Sequence, residues 1–324
     1  MDELHKFLFD GLPVRGMLVR LDSSWREVLR RREPAHGGAG TFAAPLRELL
    51  GEMAAAAVLM QSNIKFNGAL LLQLHGDAGS PVKLAVAEAR ADLSFRVTAT
   101  VKGEVGLDAG LVSMLNPRGK GRCAIMLDPK DKLPGQQPYQ GVVPLHGDRR
   151  EPLHQLSQVL EHYMLQSEQL DTRLMLAASD EVAAGLLIQR LPVEGVGNLE
   201  GRAREDDIGL SEGFNRIAHL AATLKRDELL GLDAETLLRR LFWQESVLRF
   251  EPQTPRFECT CSRERVARML QGLGREEIDS IVVERGDVEI GCEFCGRQYR
   301  FDAVDVGELF TPPIDQAPGS SAVN

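Results

Sequence analysis

The chain carries two cysteine motifs, Glu258-Cys-Thr-Cys-Ser-Arg-Glu-Arg265 and Gly291-Cys-Glu-Phe-Cys-Gly296, which together hold four of its five cysteines. The spacing is C-x-C, then thirty residues, then C-x-x-C. Two close pairs joined by a short segment can bring four thiolates around one ion, and four sulfur ligands favour tetrahedral Zn²⁺ with Zn–S bonds of about 2.3 Å. The sequence therefore predicts one Zn²⁺ per chain in the reduced form, bound by Cys259, Cys261, Cys292 and Cys295.

Four cysteines can also bind an iron–sulfur cluster or form structural disulfides. An iron–sulfur cluster accepts the same ligands, but this spacing differs from the usual ferredoxin patterns. Structural disulfides are rare in proteins of a reducing compartment. The two pairs also differ from each other, because Gly296 permits a tight turn behind Cys295, whereas Cys259 and Cys261 need a backbone bend to share one ion. A disulfide between Cys259 and Cys261 would close a small strained ring, and strained disulfides are typically labile and regulatory.

The composition limits the class of protein. The chain has 324 residues, a formal net charge of -9 and 43% hydrophobic residues, which is enough for two globular domains. The acidic balance argues against a general nucleic-acid binder. The first residues, Met1-Asp2-Glu3, lack the basic and apolar regions of a signal peptide, and the longest apolar run, residues 53–60, is too short to span a bilayer. We therefore expect a cytoplasmic protein with no membrane partner.

The hydrophobic pattern predicts an α+β fold, because runs of strands are interrupted by helices without regular β-α alternation. Residues 1–193 are predicted to form an N-terminal mixed β-sheet domain with packed helices. Residues 194–250 should form a helical linker, residues 251–310 a small C-terminal zinc-binding module, and residues 311–324 a disordered tail. The strands predicted for the first domain are residues 14–21, 69–75, 82–90, 94–102, 123–128, 139–145, 173–178 and 184–191, and its longer helices are residues 43–61 and 152–167.

The linker is predicted to contain two amphipathic helices, with Phe214, Leu237, Leu241 and Phe242 among the residues of their apolar stripes. Periodicity leaves open whether these stripes pack permanently on the first domain or are covered only conditionally. The cysteine module has so few large apolar residues that bound metal should supply most of its stability, on the order of 10–16 kcal/mol by analogy with zinc-finger peptides.

The chemistry of the cysteines suggests a redox switch. Zinc-bound thiolates are the form that oxidants attack, and among the three possible disulfide pairings proximity favours Cys259–Cys261 and Cys292–Cys295. A disulfide sulfur is a poor zinc ligand, so oxidation should release the metal and unfold the module. If the linker helices dock against the module, they would then expose an apolar surface that binds other apolar surfaces. Three basic residues beside the ligands, Arg263, Arg265 and Arg297, are expected to balance the charge of the thiolates.

From about residue 4 to residue 309 the chain resembles the redox-regulated bacterial holdase chaperones of the thirty-three-kilodalton heat-shock family. The two cysteine motifs carry the resemblance most specifically, and all four metal ligands of the family correspond to cysteines of this chain. Further matching stretches are Val14-Arg-Gly16, Gly141-Val-Val143, Ser167-Glu-Gln-Leu-Asp-Thr-Arg173 and Asp227-Glu-Leu-Leu230.

The resemblance implies a protein that is inactive when reduced and zinc-loaded. Oxidation would form two disulfides, release zinc, unfold the linker and produce a homodimer. The active form would hold unfolding client proteins without ATP during oxidative stress and pass them to ATP-dependent foldase chaperones after reduction.

Other functions remain as alternatives. A zinc-ribbon factor that binds nucleic acid or assists translation would need basic and aromatic residues around the second cysteine pair, and acidic residues dominate there. An enzyme with a structural zinc is the other alternative. Two Leu-His-Gly-Asp repeats place His75 and His146 at strand ends, but they have no evident nucleophile partner, and turns are the simpler interpretation, so no enzymatic activity is predicted. The fifth cysteine, Cys123, is predicted to be a buried core residue.

Overall fold

A computed structural model describes residues 1–33, 40–131, 137–192 and 205–311 of the chain. The predicted boundary between residues 193 and 194 and all but the first residue of the predicted tail, 311–324, lie outside these ranges. The chain divides into two compact units, one formed by Met1–Arg30 and Thr41–Glu258 and the other mainly by the chain from Cys259 onward. None of the described helices is long and apolar enough to cross a membrane.

The first unit contains most of the regular structure. Up to residue 258, in chain order, its elements are β1 (Glu3–Phe9), β2 (Val14–Leu21), α1 (Ser23–Arg32), α2 (Ala44–Asn63), β3 (Gly68–His75), β4 (Val82–Arg90), β5 (Ser94–Val101), α3 (Leu111–Leu115), β6 (Arg122–Pro129), β7 (Tyr139–Pro144), α4 (Leu156–Glu168), β8 (Thr172–Ala178), β9 (Ala183–Arg190), α5 (Glu205–Ala222), α6 (Arg226–Gly231), α7 (Ala234–Phe242), β10 (Val247–Arg249) and β11 (Arg256–Phe257).

Two sheets with a helix between them organise this unit. The five-stranded sheet has the order β10-β1-β2-β9-β8 and is antiparallel. The six-stranded sheet has the order β11-β5-β4-β3-β6-β7, and only the β11–β5 pair is parallel. Helix α2 packs against strands of both sheets, and its residues 53–59 are fully buried. The uniform apolarity of this run therefore reflects a helix covered on all sides. Helices packed with one antiparallel and one mixed sheet confirm the predicted α+β class.

The linker helices cover the second face of the five-stranded sheet. Residues of α5, α6 and α7 form one buried cluster with Phe7, Phe9 and Leu18 of β1 and β2. The four linker residues that the sequence singled out, Phe214, Leu237, Leu241 and Phe242, are all buried in it. The apolar stripes of the linker therefore pack on the first unit in this structure.

Three strands were not predicted, the described part of the linker has three helices where two were predicted, and one helix begins later than predicted. The first predicted linker helix is interrupted between Ala222 and Arg226, which divides it into α5 and α6. The polar residues of β1 obscure the apolar alternation that would identify it as a strand. Strands β10 and β11 have only three and two residues, too few to show a period.

Helix α4 begins at Leu156, four residues after the predicted start. Pro152 instead forms an isolated bridge with His146, and a capping box between Gln155 and Gln158 fixes the first turn.

The second unit is small. Its elements are α8 (Arg263–Leu273), α9 (Arg275–Arg285), β12 (Asp287–Gly291), β13 (Gln298–Asp302) and α10 (Ala303–Leu309), with β12 and β13 forming an antiparallel hairpin. Among the residues of this unit that the structure describes, the buried hydrophobic cluster consists of only Leu270, Ile278, Val288, Tyr299, Phe301 and Val306. So small a core gives a domain marginal stability without a cross-link or a bound metal.

Candidate metal centre

The four cysteines outside the first unit form a single cluster. The Sγ atoms of Cys259, Cys261, Cys292 and Cys295 all lie within 4.8 Å of one another. The shortest separations join the two motifs, at 3.6 Å between Cys259 and Cys292 and 3.3 Å between Cys261 and Cys295. A tetrahedral ion with four Zn–S bonds of about 2.3 Å would separate its ligands by roughly 3.8 Å. The cluster therefore has the dimensions and the donor atoms that Zn²⁺ requires.

The second cysteine pair lies on a tight turn between β12 and β13. Gly296 has a φ of 71°, a conformation that glycine adopts without strain. Its backbone N–H donates to the carbonyl of Cys292 at 2.8 Å, and the N–H of Cys292 donates to the carbonyl of Arg297 at 2.9 Å. These two hydrogen bonds close the tight turn that the sequence predicted behind Cys295.

The first pair lies between a strand and a capped helix. Only Glu258 separates Cys259 from the end of β11. Beyond Cys261, the Ser262 side chain accepts a hydrogen bond from the N–H of Arg265 and caps α8. The Arg265 guanidinium also donates to the carbonyl of Thr260 at 3.0 Å. The required bend is thus held by the start of α8, and it allows Cys259 and Cys261 to join the same cluster.

Sequence analysis missed one residue of the centre, Tyr299. Its hydroxyl donates to the Cys261 Sγ at 3.1 Å, and burial raises the pKa of the phenol to about 12. A neutral donor of this kind orients a thiolate ligand and stabilises its negative charge. The available signal was the alternation of β13, which places Tyr299 and Phe301 on its buried face.

The pKa values of the cysteine thiols depend on the contacts between them. Hydrogen bonds from the thiols of Cys292 and Cys295 lower the pKa of Cys259, whereas hydrogen bonds to Cys259 and Cys292 raise the pKa of Cys295. Four such groups cannot all ionise in contact without compensating positive charge. A bound cation would supply that charge and hold all four as thiolates.

The three arginines expected to balance this charge have different roles. Hydrogen bonding to Tyr299 and the nearby Cys261 and Cys295 sulfurs raise the pKa of Arg297, which fits the expected role. Arg263 instead pairs with Asp305 at 2.7 Å and lies 4.2 Å from the centroid of the Phe301 ring. Its function is therefore to attach α10 and β13 to α8.

The other residues that the sequence singled out, Cys123, His75 and His146, lie in the first unit and are not part of the cysteine cluster. Cys123 is fully buried on β6, and burial raises its pKa to about 12, which confirms the prediction that it is a core residue. His75 contacts the Gln73 side chain, and His146 contacts the carbonyl of Gly147. Both histidines thus have the local partners expected of turn residues.

The sheet face under the linker is a second feature that the sequence did not indicate. The Phe242 ring lies edge-on to Phe9, with centroids 5.0 Å apart, and 6.2 Å from Phe7. A Cβ atom at Gly16 would lie 2.1 Å from the Phe7 ring. The glycine of the Val14-Arg-Gly16 stretch therefore makes room for an aromatic ring to which the linker docks.

The chain resembles known proteins over nearly its whole length. Residues 2–302 match the family model described as Hsp33 protein. The 33 kDa chaperonin of Chromobacterium violaceum is 46% identical over 309 residues, covering 95% of this chain and 94% of that protein. The 33 kDa chaperonin of Methylobacillus flagellatus is 40% identical over 314 residues, covering 97% and 96%.

A solved structure shares the fold. The crystal structure of the 33 kDa chaperonin (heat shock protein 33 homolog) of Thermotoga maritima superposes with a TM-score of 0.71 at 20% identity, covering 95% of this chain and 97% of that one. The family match and the identity to two chaperonins over nearly their whole lengths lead to one conclusion: the chain belongs to the Hsp33 family of chaperones.

Proposed function

We propose that this protein is a redox-regulated, ATP-independent holdase, which binds unfolding client proteins and prevents their aggregation. The observation that carries the proposal is the cluster of four cysteine sulfurs in a unit with only six buried core residues. In a chain of a chaperone family, such a unit links the redox state of four thiols to folding. Cys259, Cys261, Cys292 and Cys295 would hold one Zn²⁺ in the reduced protein, and the bound ion would supply the cross-link that this small core needs.

Oxidation would remove the four sulfur donors together. We assign the disulfides to Cys259–Cys261 and Cys292–Cys295, the pairing with the smallest separation in sequence. Each disulfide forms as two thiolates lose two electrons, and these electrons, with two protons taken up from solvent, reduce one hydrogen peroxide to two water molecules. Two peroxides are therefore consumed per chain. The six-residue core would then lack its cross-link, and the second unit would unfold.

Client binding requires apolar surface that the reduced protein covers. The linker helices bury Phe214, Leu237, Leu241 and Phe242 against β1 and β2. Release of the linker would expose these residues and the sheet face at Phe7 and Phe9, giving two surfaces for apolar client segments. Exposed apolar surfaces also favour association of two copies of the chain, so the oxidised form would be a homodimer.

The remaining parts of the proposal follow from the family. The protein would act in the cytoplasm during oxidative stress and pass its clients to ATP-dependent foldases once reduction restores the thiols. It would need no membrane and no nucleic acid. The chaperonins that it resembles are named for protein folding, and this favours a binding protein over an enzyme.

Light scattering from a chemically unfolded client diluted into buffer tests this function. One sample contains the reduced, zinc-loaded protein, and the other contains protein treated with hydrogen peroxide during mild warming. We expect only the oxidised sample to suppress aggregation, and we expect dithiothreitol to abolish the suppression. Equal suppression by both samples would indicate a constitutive chaperone with a structural zinc. Suppression by neither, with salt-dependent RNA binding by the reduced form, would favour the zinc-ribbon alternative.

A further inference from the structure

The segment that joins the linker to the first cysteine motif is part of both sheets. We define residues 245–258 as the strap. Its first half forms β10 and extends the five-stranded sheet at β1, and its second half forms β11 and extends the six-stranded sheet at β5. The strap thus occupies an edge of each sheet and ends one residue before Cys259.

The strap covers the whole outer edge of β1 through backbone hydrogen bonds. Asp10 N–H donates to the Ser246 carbonyl at 2.9 Å, and Phe250 N–H donates to the Lys6 carbonyl at 3.0 Å. Leu4 and Gln253 exchange two hydrogen bonds, of 2.8 and 2.9 Å. Without the strap, β1 would present a row of unpaired donors and acceptors, which is a template for another extended chain.

Side chains hold the two ends of the strap but not its middle. Val247 and Phe257 pack against the buried clusters of the first unit, and Pro255 is buried. Leu248 and Phe250 are 51% and 54% exposed, and residues 249–254 are all exposed.

An ion pair between Arg216 and Glu245 fixes the beginning of the strap, and one between Arg256 and Asp92 fixes its end. The Glu245 side chain is largely covered, whereas Arg256 and Asp92 are both half exposed, and an ion pair between half-exposed side chains adds little stability. Between Leu248 and Thr254 the strap is therefore an edge segment that is held mainly by backbone hydrogen bonds and that a competing strand can replace.

The strap also protects the reduced protein from unwanted pairing. It contains Pro252 and Pro255, which have no N–H to donate, and five charged residues. Prolines and charges are how natural edge strands avoid edge-to-edge association. Strand β1 contains no proline, and the side chains of Phe7 and Phe9 lie on one of its faces. Without the strap, the five-stranded sheet would have an unpaired edge strand that can pair with another extended chain.

We infer that the β1 edge, once the strap has left it, binds an extended segment of a client protein by adding it to the five-stranded sheet. The inference rests on the proposed function, because it requires oxidation to free the strap. Main-chain hydrogen bonds supply affinity that does not depend on the client sequence, and apolar side chains at alternate positions of the client would lie beside Phe7 and Phe9. The partner is thus any unfolding chain with an extended, alternately apolar segment.

Hydrogen exchange of the full chain, measured by mass spectrometry, tests the inference. Three samples are compared: reduced and zinc-loaded, oxidised, and oxidised with guanidinium-unfolded luciferase as the client. Light scattering is recorded on the same mixtures. We expect the amides of residues 3–10 to exchange about tenfold faster after oxidation and to regain protection when the client is bound.

Each result decides between the two proposals. Suppressed aggregation with residues 3–10 still exposed in the client complex, or still protected after oxidation, overturns the edge-binding inference and leaves the holdase function intact. Protection that appears without client and grows with protein concentration makes a second copy the occupant, which also overturns it. Failure to suppress aggregation overturns the proposed function itself.

A pair of variants tests how the strap is held. Leu248 lies opposite Leu8, and even-numbered residues of β1 turn their backbone groups to the strap. L248P removes a backbone donor, whereas L248A removes only a half-exposed side chain. In the reduced protein, we expect residues 3–10 to exchange about tenfold faster in L248P than in L248A. Equal rates in the two variants would show that backbone pairing does not hold the strap, contrary to the inference.

Discussion

Tyr299 distinguishes one cysteine of the centre from the other three, because its hydroxyl donates a hydrogen bond to the Cys261 Sγ. Tyr299→Phe keeps the ring in the small core and removes only this donor. We expect zinc affinity to fall about tenfold, as is usual for the loss of a hydrogen bond to a metal ligand. Competition with a chromogenic chelator measures the change, with Tyr139→Phe as the control because Tyr139 lies on β7, half exposed. Unchanged affinity in Tyr299→Phe would mean that the hydroxyl does not support the ligand.

Cys261→Ser tests the ligand set directly. The variant has three thiolates, so we expect zinc affinity to fall by more than the about 10- to 100-fold typical of residues that only support a ligand. The matched control is Cys123→Ala, which removes a thiol from the buried core of the first unit and should leave zinc affinity unchanged. Equal zinc affinity in Cys261→Ser and the parent would rule out ligation by four sulfurs.

Glu52 makes the stability of the first unit depend on pH. Its side chain lines a cavity of about 430 Å³ between α2 and α6, and burial, together with the charge of Glu48, raises its pKa to about 8. Between pH 4.5 and 8 the folded protein therefore holds a proton that the unfolded chain has lost. This contribution makes the free energy of unfolding decrease as pH rises through that interval and level off above it.

Glu52→Gln removes this titration. We expect the variant and the parent to have similar stability near pH 5, and the variant to be more stable at pH 9, by on the order of 2 kcal/mol once solvent screening is allowed for. Thermal unfolding at the two pH values measures the difference. Glu181→Gln, at an exposed carboxylate, should follow the parent at both. A gain for Glu52→Gln that is the same at pH 5 and pH 9 would contradict a raised pKa.

Helix α7 is the element whose docking the proposed function depends on. Phe242→Ala removes the ring that packs on Phe7 and Phe9, and loss of a buried phenylalanine costs about 3–5 kcal/mol. We expect the reduced, zinc-loaded variant to suppress client aggregation without oxidant. Trp243→Ala is the matched control, because the neighbouring indole is 72% exposed. If reduced Phe242→Ala is as inactive as reduced Trp243→Ala, release of α7 is not what activates the protein.

Exposure of Trp243 also determines how the linker can be observed. Trp243 directly follows the last residue of α7, and the emission of an indole buried there would shift to longer wavelength when the linker is released. Because the indole is already in contact with solvent in this structure, that shift should be small. Phe242→Trp would place the probe in the buried cluster instead, where linker release moves it from an apolar environment into water.

The elements that could be predicted are those whose signal is local. Long strands, the central helix α2 and the linker stripes all follow from the periodicity of their own residues. Strands β10 and β11 are too short for a period, and they exist because β1 and β5 offer unpaired edges. In the same way, the spacing of the cysteines predicted the metal centre, but Tyr299 joins it through the register of β13 with β12, which only the folded hairpin fixes.

At the scale of the whole molecule, the two units differ in what stabilises them. The first has a core that includes both faces of α2 and the sheet beneath the linker, whereas the second has six buried core residues. The first should therefore fold without metal, and the second should not. The linker helices belong to the first unit, so loss of the second leaves their apolar contacts in place and removes only the anchor at the end of the strap.

This difference predicts that activation has two steps. We expect a chelator at 25 °C to unfold the second unit and to leave the linker docked, so that amides of residues 263–309 exchange rapidly while those of α2 and α7 stay protected. Mild warming of the chelated protein should then expose α7, because unfolding of weakly held elements increases steeply with temperature. Hydrogen exchange at 25 °C and 43 °C, with the zinc-loaded protein as the control, follows both steps. Rapid exchange in α7 at 25 °C as soon as the metal is removed would contradict two steps, because it would mean that the second unit alone holds the linker in place.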